Sequence, residues 1–127
     1  MSPTERPFFH QTRVEDGLVV WQISGVLNSD RVEELKTELN RLLDKGLCRF
    51  IIDFDGLKAI DSRGLGFLIT VQKEARAREG RLAITNLGAQ FAPLFELTRL
   101  NRILEIFLDM ETARRSFGGV SKTKENS

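Results

Sequence analysis

The chain has 127 residues, 41% of them hydrophobic and 29% charged, a composition typical of one soluble globular domain with its own core. Nineteen basic and eighteen acidic residues nearly cancel, which argues against attraction to nucleic acid or to a membrane surface. One cysteine and one histidine exclude an internal disulfide and a zinc site, and no signal-peptide pattern or run of about 18 apolar residues occurs. We therefore expect a cytoplasmic protein that holds no metal and no cofactor.

The first predicted elements form a hairpin of two antiparallel strands. Residues 1–7, with prolines at positions 3 and 7, are expected to be a flexible lead-in. Residues 8–14 and 18–24 are rich in β-forming side chains. The acidic residues Glu15 and Asp16 and then Gly17 separate them, a turn typical of a hairpin.

An amphipathic helix and a buried strand are predicted next. Asn28, Ser29 and Asp30 supply several possible N-caps, and Gly46 is a natural stop. Apolar residues recur at the helical period between them: Val32, Leu35, Leu39, Leu42 and Leu43. Residues 47–54 are almost continuously apolar, which predicts a strand covered on both faces.

The stretch from Asp53 to Gly66 organises the rest of the chain. A short loop after the buried strand delivers Asp61 and Ser62 to the start of a helical pattern that continues to about residue 80. The Ser62 hydroxyl is therefore expected where unpaired helix N–H groups and the positive end of the helix dipole would favour a phosphate. Gly64 and Gly66 keep the first turn slim, so that a partner could approach the serine closely.

The position of Phe67 on this helix allows two interpretations. We expect one face to point toward the sheet: Leu65, Leu68, Ile69, Gln72 and Ala75. Phe67 lies off this face. Phe67 either belongs to a docking patch beside Ser62 or is covered by a neighbouring helix.

Three aspartates, Asp53, Asp55 and Asp61, are expected near one strand end. They could form a magnesium or phosphoryl-transfer site. The simpler interpretation, which we favour, is that they end a strand, make a turn and cap a helix. Ser62 has no histidine or lysine placed to activate it as a nucleophile, so on the residues alone it is a second helix-capping hydroxyl.

The C-terminal third continues the alternation of strands and helices. Residues 81–86 are predicted to be a strand, residues 89–97 a helix that contains Pro93, and residues 103–107 a last short strand. Asp109 can cap a final helix that ends near residue 117, and residues 118–127 are expected to be a disordered tail. The pattern predicts an α/β fold with a mixed sheet.

The segment Asp61-Ser62-Arg63-Gly64-Leu65-Gly66 resembles the Asp-Ser-(Ser/Ala)-Gly-Leu-Gly signature of STAS domains, in particular bacterial anti-sigma factor antagonists. The resemblance extends over residues 8–117 and includes residues 25–28, 51–54, 80–87, 95–100 and 106–107. It implies a STAS fold: a mixed β-sheet with an antiparallel opening hairpin, a largely parallel remainder, and about four helices. Arg63 departs from the small residue that the family usually carries, and Arg99 stands where the family usually has glycine.

The resemblance also implies a function. Ser62 would be phosphorylated by a cognate anti-sigma factor, an ATP-dependent serine kinase that holds ATP or ADP. The unphosphorylated chain would bind that kinase and release its sigma factor, and a PP2C-type phosphatase would restore the serine. The partner-binding residues implied are Asp61, Ser62, Arg63, Gly64, Leu65, Gly66, Phe67 and Asn28. The chain would then be a substrate and binding module, not an enzyme.

Two other functions remain open at this point. The same fold could serve as a scaffold subunit or as the regulator of a kinase or transporter unrelated to sigma factors. A protein of another class, a small nucleotide-binding or hydrolytic α/β protein, would use the aspartate cluster. We expect neither nucleic acid nor membrane as a partner, and at most a weak homodimer.

Overall fold

The computed structural model describes residues 8–118, so the predicted lead-in at residues 1–7 and the predicted tail from residue 119 lie outside the described residues. This part of the chain contains six strands and five α-helices. They are β1 Phe8–Glu15, β2 Leu18–Leu27, α1 Ser29–Asp44, β3 Arg49–Asp53, β4 Leu57–Ile60, α2 Ser62–Ala77, β5 Arg81–Thr85, α3 Ala92–Leu97, α4 Leu100–Ile103, β6 Glu105–Phe107 and α5 Met110–Ser116. A 3-10 turn, Ala89–Phe91, leads into α3. Among residues 8–118, no helix is long and apolar enough to cross a membrane.

The strands form one mixed sheet in the order β1-β2-β3-β5-β6. The opening hairpin β1-β2 is antiparallel, and all other pairs are parallel, as predicted. Strand β2 is long enough to pair twice on one side. Its first half pairs with β3 over residues 18–22, and its end pairs with β4 over residues 25–27.

The loop predicted between the buried strand and Asp61 contains a short strand, β4. Lys58 and Ala59 are exposed, so the strand carries no clear alternation of apolar and polar side chains. It forms because the end of β2 extends past β3 and offers unpaired backbone groups, which a parallel partner satisfies. Such pairing depends on residues distant in sequence and leaves no local signature.

The core lies on both faces of the sheet. The larger part, under α1 and α2, contains Trp21, Phe50 and Ile52. All five apolar residues predicted to form the inner face of α1 are buried there. On the opposite face, residues such as Val20 and Ile51 pack against Ala113 of α5.

The inner face of α2 differs from the predicted one. The buried residues are Gly64, Phe67, Leu68, Val71, Gln72 and Ala75, whereas Leu65 is half-buried and Ile69 is 38% exposed. Phe67 is only 1% exposed, and its ring lies 5.7 Å from that of Trp21, centroid to centroid. Phe67 is therefore buried in the core that lies under α1 and α2, and the Trp21 ring of the sheet is one of its contacts. The helix is rotated from the predicted orientation because Trp21 supplies a large apolar surface for Phe67.

Three backbone features near the C-terminus concern residues noted in the sequence. Arg99 adopts the left-handed conformation, with φ of 62°, although it is not glycine. Pro93 lies in the first turn of α3, where its missing N–H costs nothing. Asp109 caps α5, since its Oδ1 accepts a hydrogen bond from the Thr112 N–H at 2.8 Å.

Candidate functional site

The sheet brings the starts of α1 and α2 together at one edge. Leu27 and Ile60 are the last residues of β2 and β4, and they are register partners. Each helix begins two residues later, so Asn28 and Asp61 follow directly after this pair. The Asp61 N–H donates to the Leu27 carbonyl at 3.2 Å. Two helix N-termini, with their unpaired N–H groups, therefore share the carboxyl edge of the sheet.

Ser62 is the first helical residue of α2, and its side chain is exposed. Asp61 is the N-cap: its backbone is extended and its Oδ1 accepts from the Gly64 N–H at 3.0 Å. Within the described residues, the Ser62 hydroxyl makes no hydrogen bond. The prediction of a second capping hydroxyl is thus wrong, because Asp61 alone supplies the cap.

Asn28 has the same position in α1 that Asp61 has in α2. Its Oδ1 accepts from the Arg31 N–H at 3.3 Å, which makes it the N-cap, and its side chain is half-buried. Asn28 is the one of the three candidate caps that the structure uses. Ser29 is then the exposed first residue of α1, just as Ser62 is the exposed first residue of α2.

The two glycines of the signature lie on opposite sides of α2. Gly64 is buried: a Cβ atom there would lie 2.9 Å from the Leu27 carbonyl oxygen and 2.6 Å from Ile60 Cγ1. Gly64 therefore lets the helix approach the strand ends, a different role from the partner access that we expected. Gly66 is exposed, and a Cβ atom there would have no neighbour within 4 Å. Of these two glycines, only Gly66 leaves room for a partner to approach the helix.

One stripe along the outer side of α2 contains the serine. Ser62, Leu65, Gly66 and Ile69 have the i, i+3, i+4, i+7 spacing of a single helix face, and each is exposed or half-buried. We call these four residues the Ser62 stripe. Phe67 is in the core and does not contribute to it, which corrects the docking interpretation of that residue. Ile69 was predicted on the inner face, but it is exposed, and its i+7 spacing from Ser62 is the signal in the sequence that places it on this stripe.

Arg63 is exposed next to the stripe. Because consecutive helical residues point in different directions, its side chain flanks the serine and does not cover it.

The aspartates act in the fold as caps and turns. Asp53 Oδ1 accepts from the Asp55 N–H at 3.0 Å and from Asn86 Nδ2 at 2.9 Å, which joins the ends of β3 and β5. Asp61 is engaged as the cap of α2. In the described part of the chain, no group of three or more histidine, cysteine, aspartate or glutamate residues could hold a metal ion. These hydrogen bonds favour the capping interpretation over a magnesium site.

Comparison with known proteins identifies the family. The STAS domain model matches residues 10–113. The proposed anti-sigma factor antagonist BtrV of Bordetella bronchiseptica is 31% identical over 102 residues, which cover 80% of this chain and 88% of BtrV. The crystal structure of a proposed anti-sigma factor antagonist from Thermotoga maritima has a TM-score of 0.79 at 21% identity, over 84% of this chain and 92% of that one. Phosphorylated SpoIIAA, a Bacillus cell fate determinant, has a TM-score of 0.69 at 23% identity, over 85% of this chain and 99% of SpoIIAA. The chain therefore belongs to the STAS domain family, and within it the chain resembles the anti-sigma factor antagonists.

Proposed function

We propose that this chain is an anti-sigma factor antagonist whose binding to its partner is switched off by phosphorylation of Ser62. The observation that carries the proposal is the exposure of the Ser62 side chain at the first residue of α2. Because Asp61 already supplies the cap, a phosphate can be added to Ser62 without breaking a hydrogen bond that stabilises the helix.

The proposed partner is a cognate anti-sigma factor that is also an ATP-dependent serine kinase. It binds the unphosphorylated chain, releases its sigma factor, and dissociates after it has transferred phosphate from ATP to the Ser62 hydroxyl. A PP2C-type phosphatase removes the phosphate. The STAS match, the description of BtrV and the phosphorylated form of SpoIIAA support this proposal.

The proposed contact surface is the Ser62 stripe, with Arg63 at its side. Leu65 and Ile69 offer apolar area, and Gly66 lets the partner backbone approach the helix. A small apolar centre with a polar surround is the usual composition of a protein interface. The remaining signature residues support this surface indirectly, since they cap α2 or pack it against the strands.

A phosphate on Ser62 would act locally. It adds about two negative charges to a residue that sits inside the proposed interface. The N–H groups of the first turn attract the phosphate, whereas the adjacent Asp61 carboxylate repels it. Burying the added charge against a partner carries a desolvation cost, so the partner is released although the domain keeps its fold.

This function makes the chain a substrate and a binding module, with no catalytic residue of its own. Among residues 8–118, no basic side chain is hydrogen-bonded to the Ser62 hydroxyl to activate it as a nucleophile. The kinase therefore has to supply the base that removes the proton.

The test is phosphorylation of the purified chain by the cognate kinase with ATP, followed by mass spectrometry of the modified residue. We expect one phosphate, on Ser62, and none on Ser62→Ala. Ser29→Ala is the matched control, since Ser29 has the equivalent position at the start of α1. It should be phosphorylated as fast as the wild type.

Two outcomes would contradict the proposal. Phosphate found only on Ser29 or another residue would remove Ser62 as the switch. Capture of a regulator that binds no sigma factor would favour the alternative of a scaffold or regulator in another pathway.

A further inference from the structure

A second polar site lies at the edge of the sheet opposite Ser62, where β3 and β5 begin. A cleft of about 270 Å³ is lined there by Arg49, Arg76, Glu79, Arg81, Ser116 and Phe117. We call it the arginine cleft. Its residues come from the starts of two strands and from the ends of α2 and α5, so regular elements hold it in place.

Two arginines stand side by side in this cleft. Arg49 and Arg81 are register partners on neighbouring parallel strands, so their side chains leave the sheet on the same face. Like charges directly opposite each other destabilise a sheet unless something compensates them. Arg81 has its own compensation: it pairs with the Glu105 carboxylate, donates to the Ser116 carbonyl, and lies 4.0 Å from the Phe117 ring centroid.

Among the described residues, Arg49 and Arg76 form no ion pair that would compensate their charges. The Arg49 guanidinium donates to the Asp16 carbonyl oxygen at 2.9 Å, and Arg49 also lines the cleft. Within residues 8–118, neither Arg49 nor Arg76 has a carboxylate oxygen within 4.0 Å. Glu79 is the one acidic residue that lines the cleft. Positive charge therefore exceeds negative charge in the lining, and the guanidinium donors are not all used.

We propose that the arginine cleft binds a small anion that carries a phosphate group. The planar guanidinium fork matches the oxygens of phosphate, and two such forks around one cleft, those of Arg49 and Arg76, can hold a single phosphate group. The ligand would be either free inorganic phosphate or the phosphate group of a metabolite. This site is separate from Ser62 and does not depend on the function proposed above.

The test is titration of the whole chain with inorganic phosphate and, separately, with glucose 6-phosphate, at constant ionic strength. Amide chemical shifts are recorded by NMR. We expect saturable shifts at residues 49, 76, 81 and 116 with a Kd of about 1 mM or tighter. Arg49→Gln and Arg76→Gln should each weaken binding about tenfold, because each removes a charged donor. Glu79→Gln should tighten binding, because it removes a repelling carboxylate.

Arg41→Gln is the control, since Arg41 is an exposed arginine on α1 outside the cleft. Its Kd should equal that of the wild type, as should that of Ser62→Ala. Tighter binding of the sugar phosphate would favour a phosphorylated metabolite as the ligand, and binding no tighter than that of inorganic phosphate would favour free phosphate. Shifts that do not saturate, or an equal loss in Arg41→Gln, would overturn the proposal. Arg76 lies on an exposed helix end, so its variant keeps the test valid if Arg49→Gln does not fold.

Discussion

At the scale of single residues, neighbours in the signature have opposite tasks. Asp61 and Gly64 serve the fold, one as a cap and the other as the point of contact with the strand ends. Ser62 and Gly66 are exposed, and a Cβ atom placed at Gly66 would have no neighbour within 4 Å. Within one short motif, Asp61 and Gly64 therefore stabilise the fold, whereas Ser62 and Gly66 are available to a partner.

The two glycines should respond differently to the same substitution. Gly64→Ala places a Cβ atom against the Leu27 carbonyl and Ile60, so it should destabilise the fold by about 1–3 kcal/mol. Gly66→Ala meets nothing and should raise stability by up to about 1 kcal/mol, because alanine favours the helix. Urea denaturation of both variants measures these free energies of unfolding. Equal effects on stability would contradict the assignment of the two faces.

Phe67 and Ile69 form a second pair. Phe67→Ala should lower the free energy of unfolding by about 3–5 kcal/mol, as removal of a core aromatic ring does. Ile69→Ala should change stability by less than about 0.5 kcal/mol. It should instead weaken partner binding by about 1 kcal/mol or more. Thermal unfolding and calorimetric binding separate the effects, and normal binding by Ile69→Ala would remove Ile69 from the proposed interface.

At the scale of elements, the start of α2 depends on a side chain that also carries charge. Asp61→Ala removes the acceptor for the Gly64 N–H and should cost about 0.5–2 kcal/mol of stability. Asp61→Asn keeps a capping oxygen and should fold almost as stably as the wild type. Denaturation curves compare the two. If Asn were as destabilising as Ala, the negative charge at the helix dipole would matter more than the hydrogen bond.

Most elements could be predicted because their signals are local. The turn at residues 15–17, the periodicity of α1 and the cap at Asp109 each lie within a few residues of the element that they define. Strand β4 and the orientation of α2 depend on distant partners, namely the end of β2 and the ring of Trp21. Single-sequence periodicity contains no information about such partners.

Only part of the candidate site could be predicted from the sequence. The position of Ser62 at a helix start follows from the strand, loop and helix pattern around it. The burial of Gly64 and Phe67 does not, because it depends on how closely the helix approaches the sheet.

At the scale of the whole molecule, α5 is tied back to the opening hairpin. Arg114 donates to the Glu15 carboxylate through Nε at 3.1 Å and through Nη2 at 3.2 Å. These hydrogen bonds lower the pKa of Glu15 below its ordinary value of 4.5, and Arg13 adds to the effect. Glu15 and Arg114 are 99 residues apart in sequence, so their contact connects the last helix of the described fold to its first hairpin.

This tie predicts how stability depends on pH. The unfolded chain lacks the contact, so it binds a proton at Glu15 at a higher pH than the folded chain does. The contribution is present above about pH 4.5 and is lost as the pH falls through the lower, folded pKa. Arg114→Gln should therefore lose less stability on acidification than the wild type, by a small margin because the pair is partly exposed. Urea denaturation between pH 7 and pH 3 tests this, with Arg41→Gln as the control that should follow the wild type.

The central claim, that a phosphate on Ser62 controls partner binding, is tested most directly by calorimetric titration. The cognate anti-sigma factor is titrated with the unphosphorylated chain and with the chain phosphorylated at Ser62. We predict that the phosphorylated form binds at least about tenfold more weakly, a difference of about 1.4 kcal/mol, while its far-UV circular dichroism is unchanged. Equal affinity of the two forms would contradict the claim.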